Sequence, residues 1–374
     1  MRNKYFFLSI LLLHSFASYC QDSPNKSFSL DGIIIGGSGQ IELTMVADSN
    51  YYPKSVRHLK APIVNGKFRI EGQIPYPIAY KLSNGNDYFS EMIILEPGSH
   101  SVTCDYNVKR DFPQMDNHLT KEYIDYRNTF KENIEKTMRL TNERKKLVEK
   151  YPSGLPDSIK RYISLTTKEL YAESDKALLS YVKDHPLTYF GFWRVIALIG
   201  FGYEDIYSEI YAYFDNSLKN NYSGKYLFKM LQNSSQLRLG KKFPNINLLA
   251  LNEQPAKNFE FSKQKYTLVD FWYSHCRPCI AQLPSFVKTY GNYKTRGFEI
   301  YSISTDAIKY KDDLKNGIIK HEMQWAQYWD IDGKETTALS IIAFPTNYLL
   351  DTNGIIIQKN ISPEQLDEFL KKNL

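Results

Sequence analysis

The chain has 374 residues, a formal net charge of +6, 14% aromatic residues and four cysteines. That length exceeds one ordinary small domain and implies two or three, and the aromatic content supplies cores and leaves no block biased enough to be disordered. The positive charge is spread along the chain without a basic stripe or reader motif, which argues against nucleic acid as a partner.

Residues 1–20 read as a secretory signal: Arg2 and Lys4, an apolar stretch over 5–13, then the small residues Ser15, Ala17 and Ser18. Export to the periplasm or cell envelope follows. Cleavage after Ala17 and after Cys20 both fit. Lipid attachment at Cys20 is the rival, disfavoured by the bulky Tyr19 beside it. Once the signal is removed, no transmembrane helix is expected. The apolar run 189–201 is short, Arg194 interrupts it, and a buried helix is the better reading.

Residues 21–112 form a β region. Ile41, Leu43 and Met45 alternate with polar residues, as do Phe68 and Ile70 after Asn65-Gly66, and Val102 and Cys104 after Glu96-Pro97-Gly98-Ser99. This pattern predicts a small all-β sandwich or barrel with antiparallel strands, with Cys104 as a core thiol. Over 113–238 the period becomes helical. Tyr123, Phe130, Ile134 and Met138 mark one face of a long helix, and Pro152 and Pro156 break it. Ile159, Ile163, Leu170, Ala177, Leu178 and Tyr181 mark a second, with shorter helices over 203–218 and 224–237. Helix packing is the simplest use of these tyrosine-rich faces, and a groove for an unfolded substrate is the alternative.

Gly240-Lys-Lys-Phe-Pro244 reads as a hinge into the last domain, 239–374. A strand and turn are expected over 246–261, then strand 266–273, a helix from Arg277, strand 298–304 and a helix after Asp306. Strands over 346–350 and 355–358, joined by the Asp351-Thr-Asn-Gly354 turn, and a helix from Pro363 complete an α/β sandwich around a mixed sheet.

Cys276-Arg277-Pro278-Cys279 falls between the strand and the first helix of that domain. One thiol sits at the helix N-terminus, where amides and dipole favour a thiolate, and the second lies a turn deeper, close enough to close a ring. The first sulfur should therefore be exposed and acidic. Half a zinc site is a rival, but only His275 is near, and no second CxxC or paired histidine motif completes four ligands. A static disulfide would close too short a ring to constrain the unfolded chain much. Inert buried thiols fit poorly with a helix start.

The last 135 or so residues resemble the thioredoxin-like proteins of the TlpA/ResA type. The resemblance rests on Gly240-Lys-Lys-Phe-Pro244, Leu268-Val-Asp-Phe-Trp272, the CxxC, Pro284, Ser302-Ile-Ser-Thr-Asp306 and Phe344-Pro-Thr-Asn-Tyr-Leu-Leu-Asp351. The β region, with Gly66-Lys-Phe and Leu95-Glu-Pro-Gly98, looks like the uncharacterised domain often fused ahead of such oxidoreductases. The resemblance implies Cys276 as attacking thiol, Cys279 as resolving thiol, Pro345 as the cis-proline facing the disulfide, and Asp270 as a buried acid beneath Cys279. Buried in an apolar sheet, Asp270 should have a raised pKa and could take the resolving thiol's proton, unless it is simply a hydrogen-bonded structural carboxylate.

Departures from the family pattern bear on the groove and the redox poise around Trp272 and Pro278. Phe344 stands where relatives carry a smaller residue, Gln282 where a glutamate is usual, His275 for a tryptophan, and Arg277 for a small residue. A guanidinium at Arg277 should favour the Cys276 thiolate and make the disulfide more oxidising.

The sequence thus predicts an exported thiol-disulfide oxidoreductase with no cofactor beyond a Cys276–Cys279 disulfide. Its expected partners are disulfide-bearing or dithiol envelope proteins, including apocytochromes c, with a membrane electron relay as donor. The Arg277 argument favours oxidation and the resemblance favours reduction, and the reading follows the resemblance. A thiol-dependent peroxidase of the AhpC/TSA type is the enzymatic alternative, lacking the PxxxTxxC arrangement around Cys276. A binding module with a degenerate redox domain is the non-enzymatic one.

Overall fold

The computed structural model describes residues 24–85, 88–108, 112–257 and 259–374. The expected signal segment and Cys20 lie outside the described residues. Among those described, no helix is long and apolar enough to cross a membrane.

The N-terminal strands are β1 (Lys26–Ile35), β2 (Gln40–Met45), β3 (Leu59–Pro62), β4 (Lys67–Ile74) and β5 (Ile78–Asn84). They are followed by β6 (Tyr88–Phe89), β7 (Ile93–Leu95), β8 (Gly98–Asp105) and β9 (Gln114–Asp116). One sheet runs β4-β1-β8-β9 and the other β3-β2-β5-β6, with β7 also on β5. The alternating residues Ile41, Leu43, Phe68, Ile70, Val102 and Cys104 are all buried between the strands and their neighbours. One pair departs from the expected antiparallel pattern, because β1 and β8 run parallel, Phe28 opposite Gly98. The chain builds the whole second sheet between them, so no tight hairpin dictates their direction.

Helices α1 (Thr120–Lys150), α2 (Asp157–Asp184), α3 (Tyr189–Ile199), α4 (Asp205–Tyr213), α5 (Asn216–Asn220) and α6 (Tyr222–Ser234) follow. A single apolar cluster contains Leu30 and Tyr80 from the strands together with Trp193, Ile210 and Leu227 from the helices. The Trp193 indole stacks on Tyr52, with ring centroids 4.9 Å apart, and its N–H donates to the Pro77 carbonyl at 3.2 Å. The aromatic faces of the helices are used in packing of this kind, as between Tyr123 and Phe190. Met138, expected on the buried face of α1, is 55% exposed. Beyond Phe130 the long helices α1 and α2 chiefly cover one another, for instance through Asn133 Nδ2 and the Leu170 carbonyl, so this stretch of the apolar stripe is only partly covered.

The C-terminal unit contains β10 (Tyr266–Trp272), α7 (Arg277–Tyr293), β11 (Phe298–Ser304), α8 (Lys311–Lys320) and β12 (Ala326–Trp329). It continues with α9 (Lys334–Ala338), β13 (Thr346–Asp351), β14 (Ile356–Lys359) and α10 (Pro363–Asn373). Its sheet order is β12-β11-β10-β13-β14, with β10, β11 and β12 parallel, β13 antiparallel to β10, and β14 antiparallel to β13. This is a thioredoxin-like fold. The expected strand within 246–261 does not form among the described residues; Leu249 instead makes isolated bridges to Pro255 and Trp329. Central β10 is buried on both faces, as a strand inside a covered sheet must be. The two units are tied by Lys359 Nζ, which donates to the Tyr203 carbonyl at 2.9 Å, by the Ser340 hydroxyl on Met230 Sδ at 3.3 Å, and by the Arg161–Glu368 ion pair.

Candidate active site

Strand β10 carries the chain to the site. Its residues Leu268 and Trp272 enter the apolar cluster that contains Cys276, Cys279, Leu283 and Phe286, whereas Val269 and Phe271 enter the cluster on the opposite face. The two-residue period of a strand therefore puts Asp270 on the cysteine side of the sheet. The cysteines lie beyond the C-terminal end of β10, where open α/β sheets place their sites.

The turn between β10 and α7 is fixed at each residue. The Cys276 N–H donates to the Tyr273 carbonyl at 3.0 Å. Ser274 donates its backbone N–H to Asp306 Oδ2 at 2.9 Å and its hydroxyl to Oδ1 at 2.7 Å, and the Ser304 hydroxyl donates to Oδ2 at 2.7 Å. Asp306 thus clamps the loop just before the first cysteine. His275 is exposed, with Nε2 3.4 Å from Asp313 Oδ2 and its ring edge-on to Tyr310 at 4.8 Å.

Cys276 is the N-cap of α7, and its sulfur accepts the Cys279 N–H at 3.2 Å. Cysteine is an uncommon cap, but here the sulfur takes the role that a serine oxygen usually plays for an unpaired helix amide. Cys276 and Cys279 are joined in a disulfide, Cα to Cα 5.2 Å. Arg277 and Pro278 occupy the first two helical positions and are exposed, and a proline there gives up no intrahelical hydrogen bond.

Cys276 differs from the expected exposed sulfur: the residue is only 1% exposed. Its sulfur is turned inward to Cys279 and the cap amide, and the rings of Tyr273 and Phe344 pack against the cluster that holds both cysteines.

The Phe344–Pro345 peptide bond is cis. In the antiparallel register of β10 and β13, Asp270 faces Asn347 and Phe271 faces Thr346. Pro345 immediately precedes β13, so the cis bond lies at the end of the sheet where β10 passes into the cysteine loop.

The electrostatics of this face are unusual for a protein core. Asp270 is buried, its Oδ1 has no hydrogen-bond partner, and burial raises its pKa from the ordinary 3.8 to about 8. Trp272 Nε1 and Gln282 Oε1 are likewise buried without partners. Similar unpaired buried atoms occur in the β and helical regions, for example Glu96 Oε2 and His100 Nδ1, and what sets Asp270 apart is the size of its pKa shift. Burial therefore keeps Asp270 largely protonated at neutral pH. Among the described residues, no group of three or more His, Cys, Asp or Glu side chains is placed to hold a metal ion.

Sequence reasoning missed Tyr273, Ser274, Tyr310 and Asp313, and named Asp306 only within a motif. Asp306 carried a usable signal, since it follows β11, the parallel neighbour of β10, at the same end of the sheet.

Comparison with known proteins finds similar proteins for this unit. The AhpC/TSA family profile matches residues 239–359. The thiol-disulfide oxidoreductase ResA of Bacillus thuringiensis subsp. konkukian is 30% identical over 140 residues, covering 37% of this chain and 79% of that protein. The ResA of Bacillus subtilis is 24% identical over 121 residues, covering 32% and 65%. Among solved structures, the thioredoxin domain of a thiol-disulfide oxidoreductase from Bacteroides vulgatus is 30% identical, covers 36% of this chain and 97% of its own, and has a TM-score of 0.33.

Proposed function

The chain belongs to the ResA-type thiol-disulfide oxidoreductases, and on that premise we propose that it reduces disulfides of exported proteins through the Cys276–Cys279 pair. The observation that carries this reading is the disulfide at the N-terminus of α7, backed by a buried, uncompensated acid on the adjoining face of β10.

In the reduced protein the cap amide and helix dipole favour a Cys276 thiolate. That thiolate attacks one sulfur of a substrate disulfide, forming a Cys276–substrate bond and expelling the other substrate sulfur as a thiolate. Cys279 then loses its proton to the ionised form of Asp270 and attacks Cys276 Sγ. The second substrate sulfur leaves, and the internal disulfide forms. The substrate gains two electrons and the dithiol loses two. A dithiol donor reverses the sequence, and Asp270, re-protonated, supplies the proton that the departing Cys279 thiolate takes up. Export, a membrane relay as that donor and apocytochromes c among the substrates belong to the same proposal.

Insulin reduction with a dithiol donor tests the activity. The wild type should accelerate it, Cys276→Ser should not, and Cys279→Ser should accumulate mixed disulfides on Cys276. Equal rates with and without the protein would defeat the proposal. Peroxide consumption that depends on Cys276, without insulin reduction, would favour the peroxidase alternative.

A further inference from the structure

The Cys276–Cys279 disulfide belongs to an apolar cluster on which two loops pack, and an aromatic pair joins those loops. Tyr273 belongs to the β10–α7 loop and accepts the Cys276 N–H on its carbonyl at 3.0 Å, so its position is coupled to that of the cysteine. Phe344 belongs to the loop before β13, next to the cis bond. The two rings meet edge to face, with centroids 5.5 Å apart and planes at 87°. Both pack on the cluster that contains the cysteines, and Phe344 also packs on the cluster across the sheet. Thr346 holds the second loop, its hydroxyl donating to the Ala343 carbonyl at 2.7 Å. Cys276 is 1% exposed, so an incoming sulfur needs a local opening to reach it.

We infer that Tyr273 and Phe344 form a cover over the disulfide that must part before exchange, and that Phe344 thereby selects protein substrates carrying an apolar or aromatic side chain beside the reacting cysteine. The inference rests on the exchange reading above and adds a substrate preference to it. Parting the pair uncovers apolar surface on both rings, and water is a poor replacement for the lost contact. An apolar side chain next to the substrate cysteine restores the lost contact as the sulfurs meet, whereas a small polar thiol does not. The surface around the loops suits such a partner: Ile342, two residues before Phe344, is 39% exposed, and Tyr310, packed on His275, is 37% exposed.

Reduction of the oxidised full-length chain by dithiothreitol isolates access from physiological function. One reagent sulfur bonds to Cys276 and expels the Cys279 thiolate, which takes up a proton. The second reagent sulfur then closes its own ring and frees Cys276. Phe344→Val and Tyr273→Ala should each speed this reaction about three- to tenfold, the range expected from losing one aromatic pair. Tyr273→Phe, which keeps the ring, should retain the slow rate. The reduction potential should not change, because the cover acts on the barrier. A rate that steepens with sub-denaturing urea in the variants alone would reveal general loosening and overturn the inference, as would equal rates in all four proteins.

Substrate preference is read with two peptide disulfides that differ only in Phe or Ser beside the cysteine. The reduced wild type should favour the Phe peptide, and Phe344→Val should lose that preference. Equal use of both peptides by the wild type overturns the selectivity. Slow, variant-sensitive reduction by dithiothreitol without any insulin reduction would instead defeat the oxidoreductase reading and leave the cover standing.

Discussion

The helical region and the redox unit each withdraw an acid from water, and they treat it differently. On α1, burial raises the pKa of Glu122, but its Oε1 accepts the Thr188 hydroxyl at 2.6 Å and the Phe190 N–H at 2.9 Å. Those partners sit at the start of α3, where unpaired amides and the helix dipole welcome a carboxylate. On β10, Asp270 has an oxygen with no partner, and its pKa rises to about 8. The first arrangement is a staple between two helices. The second leaves a buried acid protonated at neutral pH, at a cost in stability.

The largest expected effect breaks the redox side of this comparison outright. Cys276→Ser should bring disulfide exchange down to the uncatalysed background while leaving the far-UV spectrum unchanged. Loss of fold instead would mean that the disulfide is a staple as well.

Asp270 gives the next effect, and its sign is fixed by linkage. Below about pH 4 the acid is protonated in both folded and unfolded chains and contributes nothing. Between 3.8 and about 8 the unfolded chain releases the proton and the folded chain keeps it, so stability falls as pH rises. Asp270→Asn should therefore be more stable than the wild type by an amount growing at up to about 1.4 kcal/mol per pH unit over that window. Urea unfolding at pH 4.5 and pH 8 measures the difference, and a constant gap would show that Asp270 is not held protonated. The same variant should resolve mixed disulfides about 10²-fold more slowly, the lower end of what a positioned acid or base supplies.

Glu122→Ala should destabilise the helical region by about 1–3 kcal/mol, because it strands the Thr188 hydroxyl and the Phe190 amide. Glu122→Gln, which still offers an acceptor, should lose less. If both variants were neutral, the contrast between the two acids would have no energetic basis.

The smallest effect concerns Arg277. Its exposed position implies strong solvent screening. Titration of Cys276 in Arg277→Ala should show a shift of about half a pH unit or less. A larger one would restore the stronger influence expected from the sequence.

Strand β10, helix α7 and strand β11 were legible because each has a local signature. An apolar run ends at Trp272, a proline sits in the first helical turn, and Phe298–Ser304 is a second apolar run. Strand β12 was not legible. Its residues Ala326–Trp329 are only four, three of them half-buried, and they become a strand by pairing with β11. The strand expected within 246–261 failed for the converse reason: its partners across the sheet edge are reached only through single bridges at Leu249. Within the site, the cysteines were readable from their spacing at a strand end, and the resemblance singled out Asp270 and Pro345. The clamp of Asp306 on Ser274 and the Tyr273–Phe344 pair join residues 32 or more positions apart, and no local pattern announces them.

By itself the sequence determined where a helix must begin under a cysteine, because capping and the strand-to-helix turn are local, and the resemblance to TlpA/ResA-type proteins implied the buried acid at Asp270. The tertiary structure decided that Cys276 is shielded, that the acid goes uncompensated, and that the β and helical regions share one core. Each of those depends on what packs opposite, and that is set by the balance of burial over the whole chain rather than by any stretch of it.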